Sequence, residues 1–301
     1  MAGSFLALGE CMVELAEAGD GLYRRGFAGD TFNTAWYARR LLPDDWTVSY
    51  GSVIGTDRVS GEMADFMDAE GIDTSTLRRD PERTVGLYMI AVADGERSFS
   101  YWRGQSAARR LADDAGWLSE VLAGQAMVHV SGITMAILPP EGRLTLCAAL
   151  ARARAAGTTV SFDTNLRPRL WESSEAMRDG LTRAAGTADI VLPSFDEDSV
   201  LFGDAVPDDT IARYRALGAR CVAVKDGAGA LTLWSEETGR ATLMPERVTP
   251  VDTTAAGDSF AAGFLTGLAT GAAPEAAARG GIALAARVIA APGALVRGAV
   301  A

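Results

Sequence analysis

The sequence predicts an α/β fold of three layers, with a mainly parallel central sheet between helices and a small second sheet beside it. Three observations lead there. Apolar runs of strand length alternate with helical patterns, two hairpin-like segments interrupt that alternation, and the last third closes on two alanine-rich helices. Continuous apolar strands separated by helices indicate βαβ units, since parallel strands need a crossover connection.

The first unit pairs the strand SFLALG with the helical TFNTAWYARRLL, and the second pairs TVSYGSVIG with DRVSGEMADFMDAEG. AMVHVSG, TTVSFD, DIVLPS and RCVAVK follow as strands, each expected to lead through a loop into a helical segment. The closing helices are expected near 256–270 and 274–290. In the first of these Phe260, Phe264 and Leu268 recur four apart as one buried stripe. Segments 11–27 and 85–102 read instead as β-hairpins, turning at Gly19-Asp20-Gly21 and at Asp94-Gly95. Asp-Gly favours a two-residue hairpin turn because both central positions need φ > 0. A turn at Asp94-Gly95 opposes Val92 to Arg97, Ile90 to Phe99, Tyr88 to Tyr101 and Gly86 to Arg103. Tyr88, Ile90, Phe99, Tyr101 and Arg103 then share one face. An amphipathic sheet face with snorkelling tips and a cover over a ligand both fit that face. No internal repeat or low-complexity linker divides the chain. Residues 1–301 are therefore expected to form a single domain, with about 11–27 and 85–103 inserted in it as the smaller sheet.

Composition narrows the function. The 301 residues are 48% hydrophobic and 22% charged, with a formal net charge of −11, an ordinary balance for a folded domain. Such acidity argues against nucleic acid and against anionic membrane surfaces. Anionic ligands would have to be gathered by local arginines and backbone amides. Cys11, Cys147 and Cys221 are odd in number and widely spaced, which fits free thiols in a reducing compartment. The only histidine, His129, lies in an apolar strand and is expected to be a satisfied core residue. The start lacks a basic leader and no apolar run reaches membrane-spanning length, so a cytoplasmic chain is expected.

Phosphate-binding motifs of two common kinds are absent. There is no GxxxxGK[ST], and Gly227-Ala228-Gly229 lacks the third glycine of a dinucleotide fingerprint. Lys225, the only lysine of the chain, ends RCVAVK and runs into the glycine-rich turn DGAGA. VDTTAAGDSFAAGF (251–264) is more telling. Asp258 falls in the first turn of the expected helix, behind Ala255, Ala256 and Gly257, whose minimal side chains leave the backbone amides uncovered. A helix start of that kind suits phosphoryl oxygens. A carboxylate beside it cannot serve the same phosphate, but it can take a proton from an attacking hydroxyl. Small residues for approach, a helix end for charge and one base form a phosphoryl-transfer constellation.

DTTAAGDSF closely resembles the DTxGAGD signature of the ribokinase-like (PfkB) sugar kinases. The resemblance implies a ribokinase-like fold with a β-sheet lid, in which Asp258 is the catalytic base and Ala255, Ala256 and Gly257 build the anion hole. Ala255 stands where the family usually has glycine. AGDTFNTAWYARRLL (28–42) resembles the family's GGxxxN segment, making Gly29, Asp30 and Asn33 substrate-site candidates; helix capping by Asp30 and Thr31 is compatible with that. KDGAGA (225–230) resembles the nucleotide loop, with Lys225, Gly227, Ala228, Gly229 and Gly257 expected on ATP. LPSFDEDSVLFG (192–203) resembles the NxxE segment. Glu197 matches its glutamate and would act on Mg²⁺ through phosphate or water, while Ser194 replaces its asparagine.

GECMVEL, GDTFNTA, YWR and DTNLRPRLW together resemble the branch of the family that acts on 2-keto-3-deoxygluconate. An acid sugar carries a carboxylate, which arginine forks bind bidentately. Arg103 and Arg167 are the candidates, and Arg169 is expected to be structural. The resemblance sets Tyr88, Tyr101 and Arg103 on the acid sugar, with Asn165 to Arg167 near the phosphates. The expected reaction transfers phosphate from ATP to the 6-hydroxyl. Kinases of 2-keto-3-deoxygalactonate or of fructose, and a non-catalytic sugar sensor, stay open as alternatives. The lid strands have unpaired edges that a second subunit could cover, so a homodimer through the lid is expected. By analogy with relatives a monovalent cation would lie near Asp252 and Thr254, which the sequence leaves open.

Overall fold

The computed structural model describes residues 3–93 and 96–300. Thirteen strands occur among them. The first seven are β1 (Ser4–Leu8), β2 (Met12–Gly19), β3 (Leu22–Ala28), β4 (Thr47–Gly55), β5 (Leu77–Asp80), β6 (Leu87–Ala93) and β7 (Glu96–Trp102). The rest are β8 (Met127–Ser131), β9 (Thr159–Asp163), β10 (Ile190–Leu192), β11 (Cys221–Val224), β12 (Leu231–Ser235) and β13 (Gly239–Leu243). Nine of them form one sheet in the order β13-β12-β11-β10-β9-β8-β1-β4-β5. From β11 across to β5 every neighbouring pair is parallel.

Period-two alternation builds the three layers. On β1, Phe5 and Ala7 face one side and join Phe32, Trp36, Met63, Met67, Phe264 and Leu284. Leu6 and Leu8 face the other and join Leu118, Leu146, Leu150, Met177, Leu181 and Tyr214. The helices Asp30–Leu41, Arg58–Ala69, Ala256–Ala269 and Pro274–Ile289 thus cover one face, and Ala115–Leu122, Pro140–Ala155, Ser174–Ala185 and Pro207–Ala216 the other. The closing pair lies within a residue of the ranges the sequence predicts.

One expectation fails. RCVAVK does not lead into a helix; it is followed by β12 and β13, both antiparallel, which extend the sheet to its edge. Leu231, Leu233 and Leu243 bury their side chains there, so the alternation LTL belongs to a strand and no crossover is needed.

The second sheet runs β3-β2-β6-β7. Asp20 and Gly21 sit at φ 52° and 72° between Gly19 and Leu22, the two-residue turn that the sequence signals. The register of β6 on β7 is Leu87–Trp102, Tyr88–Tyr101, Ile90–Phe99 and Val92–Arg97, as expected. The turn at Asp94-Gly95 lies outside the described residues. Only Gly9, Glu10 and Cys11 separate β2 from β1, which ties this sheet to the carboxyl edge of the large one.

His129 is buried in β8 with Nδ1 2.9 Å from Ser161 Oγ, and burial lowers its pKa to about 4. It is a neutral core residue. The three cysteines are free and buried, and burial raises each thiol pKa. Among the described residues no helix is long and apolar enough to cross a membrane.

Candidate active site

The carboxyl ends of the parallel strands are where an open α/β sheet binds ligands, and the polar side chains gather there. Asp258 stands in the first turn of the helix Ala256–Ala269. The residue before that helix, Ala255, is in the left-handed region at φ 60°, so the chain swings sharply into the helix. Ala256 N donates to Thr253 O at 3.2 Å, so this amide of the expected anion hole already has a partner.

Asn33 Nδ2 donates to Asp258 Oδ2 at 2.7 Å, and Thr34 Oγ1 to Asp258 O at 3.2 Å. Both donors ride on the helix Asp30–Leu41, which starts at Gly29. A Cβ on Gly29 would collide with Glu10 O, so only glycine lets this helix begin so close to the end of β1. Burial pushes the Asp258 carboxyl pKa up to about 8, and the charge of Asp30 adds to it; the Asn33 bond and Lys225 act the other way.

A second set of contacts continues from there. Asn165 Nδ2 donates to Asp30 Oδ2 at 2.9 Å, and Asn165 N to Asp163 Oδ1 at 3.1 Å. Asp163 Oδ2 accepts from Lys225 Nζ at 2.7 Å. A Cβ on Gly257 would lie 3.7 Å from that same Nζ. Lys225 thus joins the end of β9 to the start of the Asp258 helix. Ser194 pairs with Lys225 through the main chain, with Phe195 N donating to Lys225 O at 2.7 Å. Gly227 sits at φ 51° in the turn beyond it. Glu197 accepts from Leu166 N and Arg167 Nη1, each at 3.1 Å, and burial raises its pKa.

The structure therefore brings Asn33, Asp30, Asn165, Lys225, Gly257 and Asp258 into one cluster, with Ser194 and Glu197–Arg167 at its margin. The expected sugar-binding residues of the second sheet form a separate set. Tyr88 donates to Glu14 and packs 5.9 Å from the ring of Tyr101, which is 53% exposed. Arg103 is buried and paired with Glu10. Each arginine nominated for a substrate carboxylate thus faces a carboxylate of this chain. Sequence reasoning passed over Glu10, Glu14 and Asp163. All three lie in stretches that carry the acid-sugar resemblance, Glu10 and Glu14 in GECMVEL and Asp163 in DTNLRPRLW. Glu10 and Asp163 are also acids at the carboxyl ends of apolar strand runs.

Residues 4–296 match the model of the pfkB family carbohydrate kinases. The chain belongs to this family. Among pfkB relatives, the 2-dehydro-3-deoxygluconokinase of Dickeya dadantii (strain 3937) is 39% identical, covering 96% of this chain and 95% of its own. That of Escherichia coli (strain K12) is also 39% identical, with 98% of each chain covered. The crystal structure of a PfkB protein from Polaromonas sp. JS666 superposes with a TM-score of 0.83 at 31% identity, covering 96% of both chains. Both the ribokinase-like fold and the sugar-kinase class expected from the sequence hold.

Proposed function

We propose that the chain phosphorylates 2-dehydro-3-deoxy-D-gluconate at its 6-hydroxyl with ATP, yielding the 6-phospho product and ADP. The observation that carries this reading is Asp258 at a helix start, held by Asn33 at 2.7 Å and flanked by Lys225. Asp258 takes the proton of the 6-hydroxyl as its oxygen attacks the terminal phosphorus. The helix start and Lys225 receive the negative charge that spreads over the transferred group. Near-identity in length and 39% identity to kinases of that name support the acid sugar as substrate.

The donor set fits a nucleotide: a lysine, a helix N-terminus and the KDGAGA turn, with Asn165 and Ser194 alongside. Among the described residues no three carboxylate, histidine or cysteine side chains gather into a metal cage. Mg²⁺ would therefore rest mainly on phosphate oxygens and water, with Glu197 acting on it through those, and would neutralise phosphate charge. The second sheet acts as the lid of a single kinase domain, its Tyr88, Tyr101 and Arg103 on the sugar and Arg167 on the charged groups. Exposed Leu22, Tyr23 and Trp102, which the sugar reading does not use, favour a homodimer through the lid. A monovalent cation beside Asp252 and Thr254 belongs to the same proposal, as does action in the cytoplasm.

The test is ADP release with ATP, Mg²⁺ and 2-keto-3-deoxygluconate, run beside its galacto epimer, fructose and ribose. Selective turnover of the gluconate compound is expected. Preference for a neutral sugar would overturn the acid-sugar assignment, and binding without turnover would overturn catalysis.

A further inference from the structure

Glu10 follows β1 directly and touches both halves of the candidate site. Its main chain abuts Gly29, where the helix carrying Asp30 and Asn33 begins. Its side chain reaches the second sheet, where Oε2 accepts from Arg103 Nε at 2.7 Å and also pairs with Nη2. Glu10 is 2% exposed and Arg103 8%. Gly86, opposite Arg103, leaves room for the pair: a Cβ there would stand 2.7 Å from Glu10 Oε1 and 3.1 Å from Arg103 Cβ.

The two contacts do not look like a device for stability alone. Both converge on Oε2, while Oε1 is buried without a hydrogen-bond partner, a costly arrangement for an acceptor. A buried ion pair is weak evidence of stabilisation but fixes geometry well. A guanidinium carries five N–H donors in a rigid plane. Fixing Nε and Nη2 on Glu10 sets the plane of the guanidinium and leaves Nη1 outside the pair.

We infer that Glu10 is a positioning residue for the sugar site, acting through Arg103 by fixing which edge of the guanidinium the substrate meets. This rests on the kinase reading, in which Arg103 faces the sugar. It assigns to Glu10 no contact with the sugar itself.

The experiment is a double-mutant cycle on the full chain, measured with whichever sugar the parent enzyme uses best. Glu10→Gln keeps the shape and removes the charge. It should raise the sugar KM roughly ten- to a hundred-fold, the range for a lost charge-assisted contact, with kcat and the KM for ATP changed less than about threefold. In the Arg103→Ala background the same substitution should change the sugar KM by less than about twofold, because residues acting as one unit are not additive. Gly86→Ala retains every charge and displaces the pair, so it should reproduce the selective rise and serves if Glu10→Gln does not fold. Equal effects in both backgrounds, a loss confined to kcat, or an unchanged KM would each overturn the inference. A parent enzyme preferring a neutral sugar would refute the acid-sugar assignment while leaving this cycle readable.

Discussion

Asn33 and Asp258, 225 residues apart, meet in a 2.7 Å hydrogen bond that fixes the carboxylate at the mouth of the large sheet. The bond favours the ionised acid, whereas burial and Asp30 oppose ionisation. That contest between neighbours makes Asp258 the natural target for mutation.

Asp258→Asn should lower kcat by ~10²–10⁴, the usual cost of losing a general base. It should also raise the melting temperature. An acid whose folded pKa exceeds its unfolded value binds protons more tightly when folded, so its contribution falls as pH rises between 3.8 and about 8. The melting advantage of the Asn variant should widen across that window. Thermal melts at pH 5 and pH 8 check it; an Asn variant less stable at pH 8 would contradict the assignment.

The same carboxyl should govern the acid limb of kcat/KM, which reports the free enzyme. Rate should climb as pH approaches about 8, when Asp258 sheds its proton. Asp30→Asn should move the limb to lower pH, and Asn33→Leu to higher pH. Limbs that coincide in all three proteins would show that another group titrates.

Ala255 occupies a left-handed backbone at φ 60°, which costs an L-residue roughly 1–2 kcal/mol. Ala255→Gly relieves that strain and loses part of the gain to the freer unfolded chain, for a net stabilisation of about 0.5–1 kcal/mol. Ala255→Val should destabilise, since β-branched residues tolerate this region least. Urea titration distinguishes the two.

Gly29→Ala would drive a methyl into Glu10 O. Overpacking of this kind costs about 1–3 kcal/mol, and the start of the helix bearing Asp30 and Asn33 must shift. Sugar KM should rise more than the KM for ATP in steady-state kinetics.

Much of this arrangement was legible in the residues. Period-two alternation and the Asp-Gly signals gave the pairing of Tyr88 with Tyr101 and of Ile90 with Phe99, because hairpin register depends only on local chemistry. The stripe of Phe260, Phe264 and Leu268 located the Asp258 helix for the same reason. The meeting of Asn165 with Asp30, 135 positions away, has no local signature. Nor has the pairing of Arg103 with Glu10, which depends on how two sheets approach. The β12–β13 hairpin departs from the helix expected after RCVAVK: Leu231 and Leu233 alternate into the core with period two, which suits a strand and not a helical turn.

Lys225 is the only lysine of the 301, and its amine is held against Asp163 between β9 and the Asp258 helix. Apart from the α-amine, reagents that acylate amines therefore find a single target, and it sits in the cluster of Asp163 and Asp258. Attaching the protein to amine-reactive beads or dyes would either leave it largely unlabelled or block that cluster, whereas protection of that one amine gives a direct readout of whether the proposed nucleotide is bound.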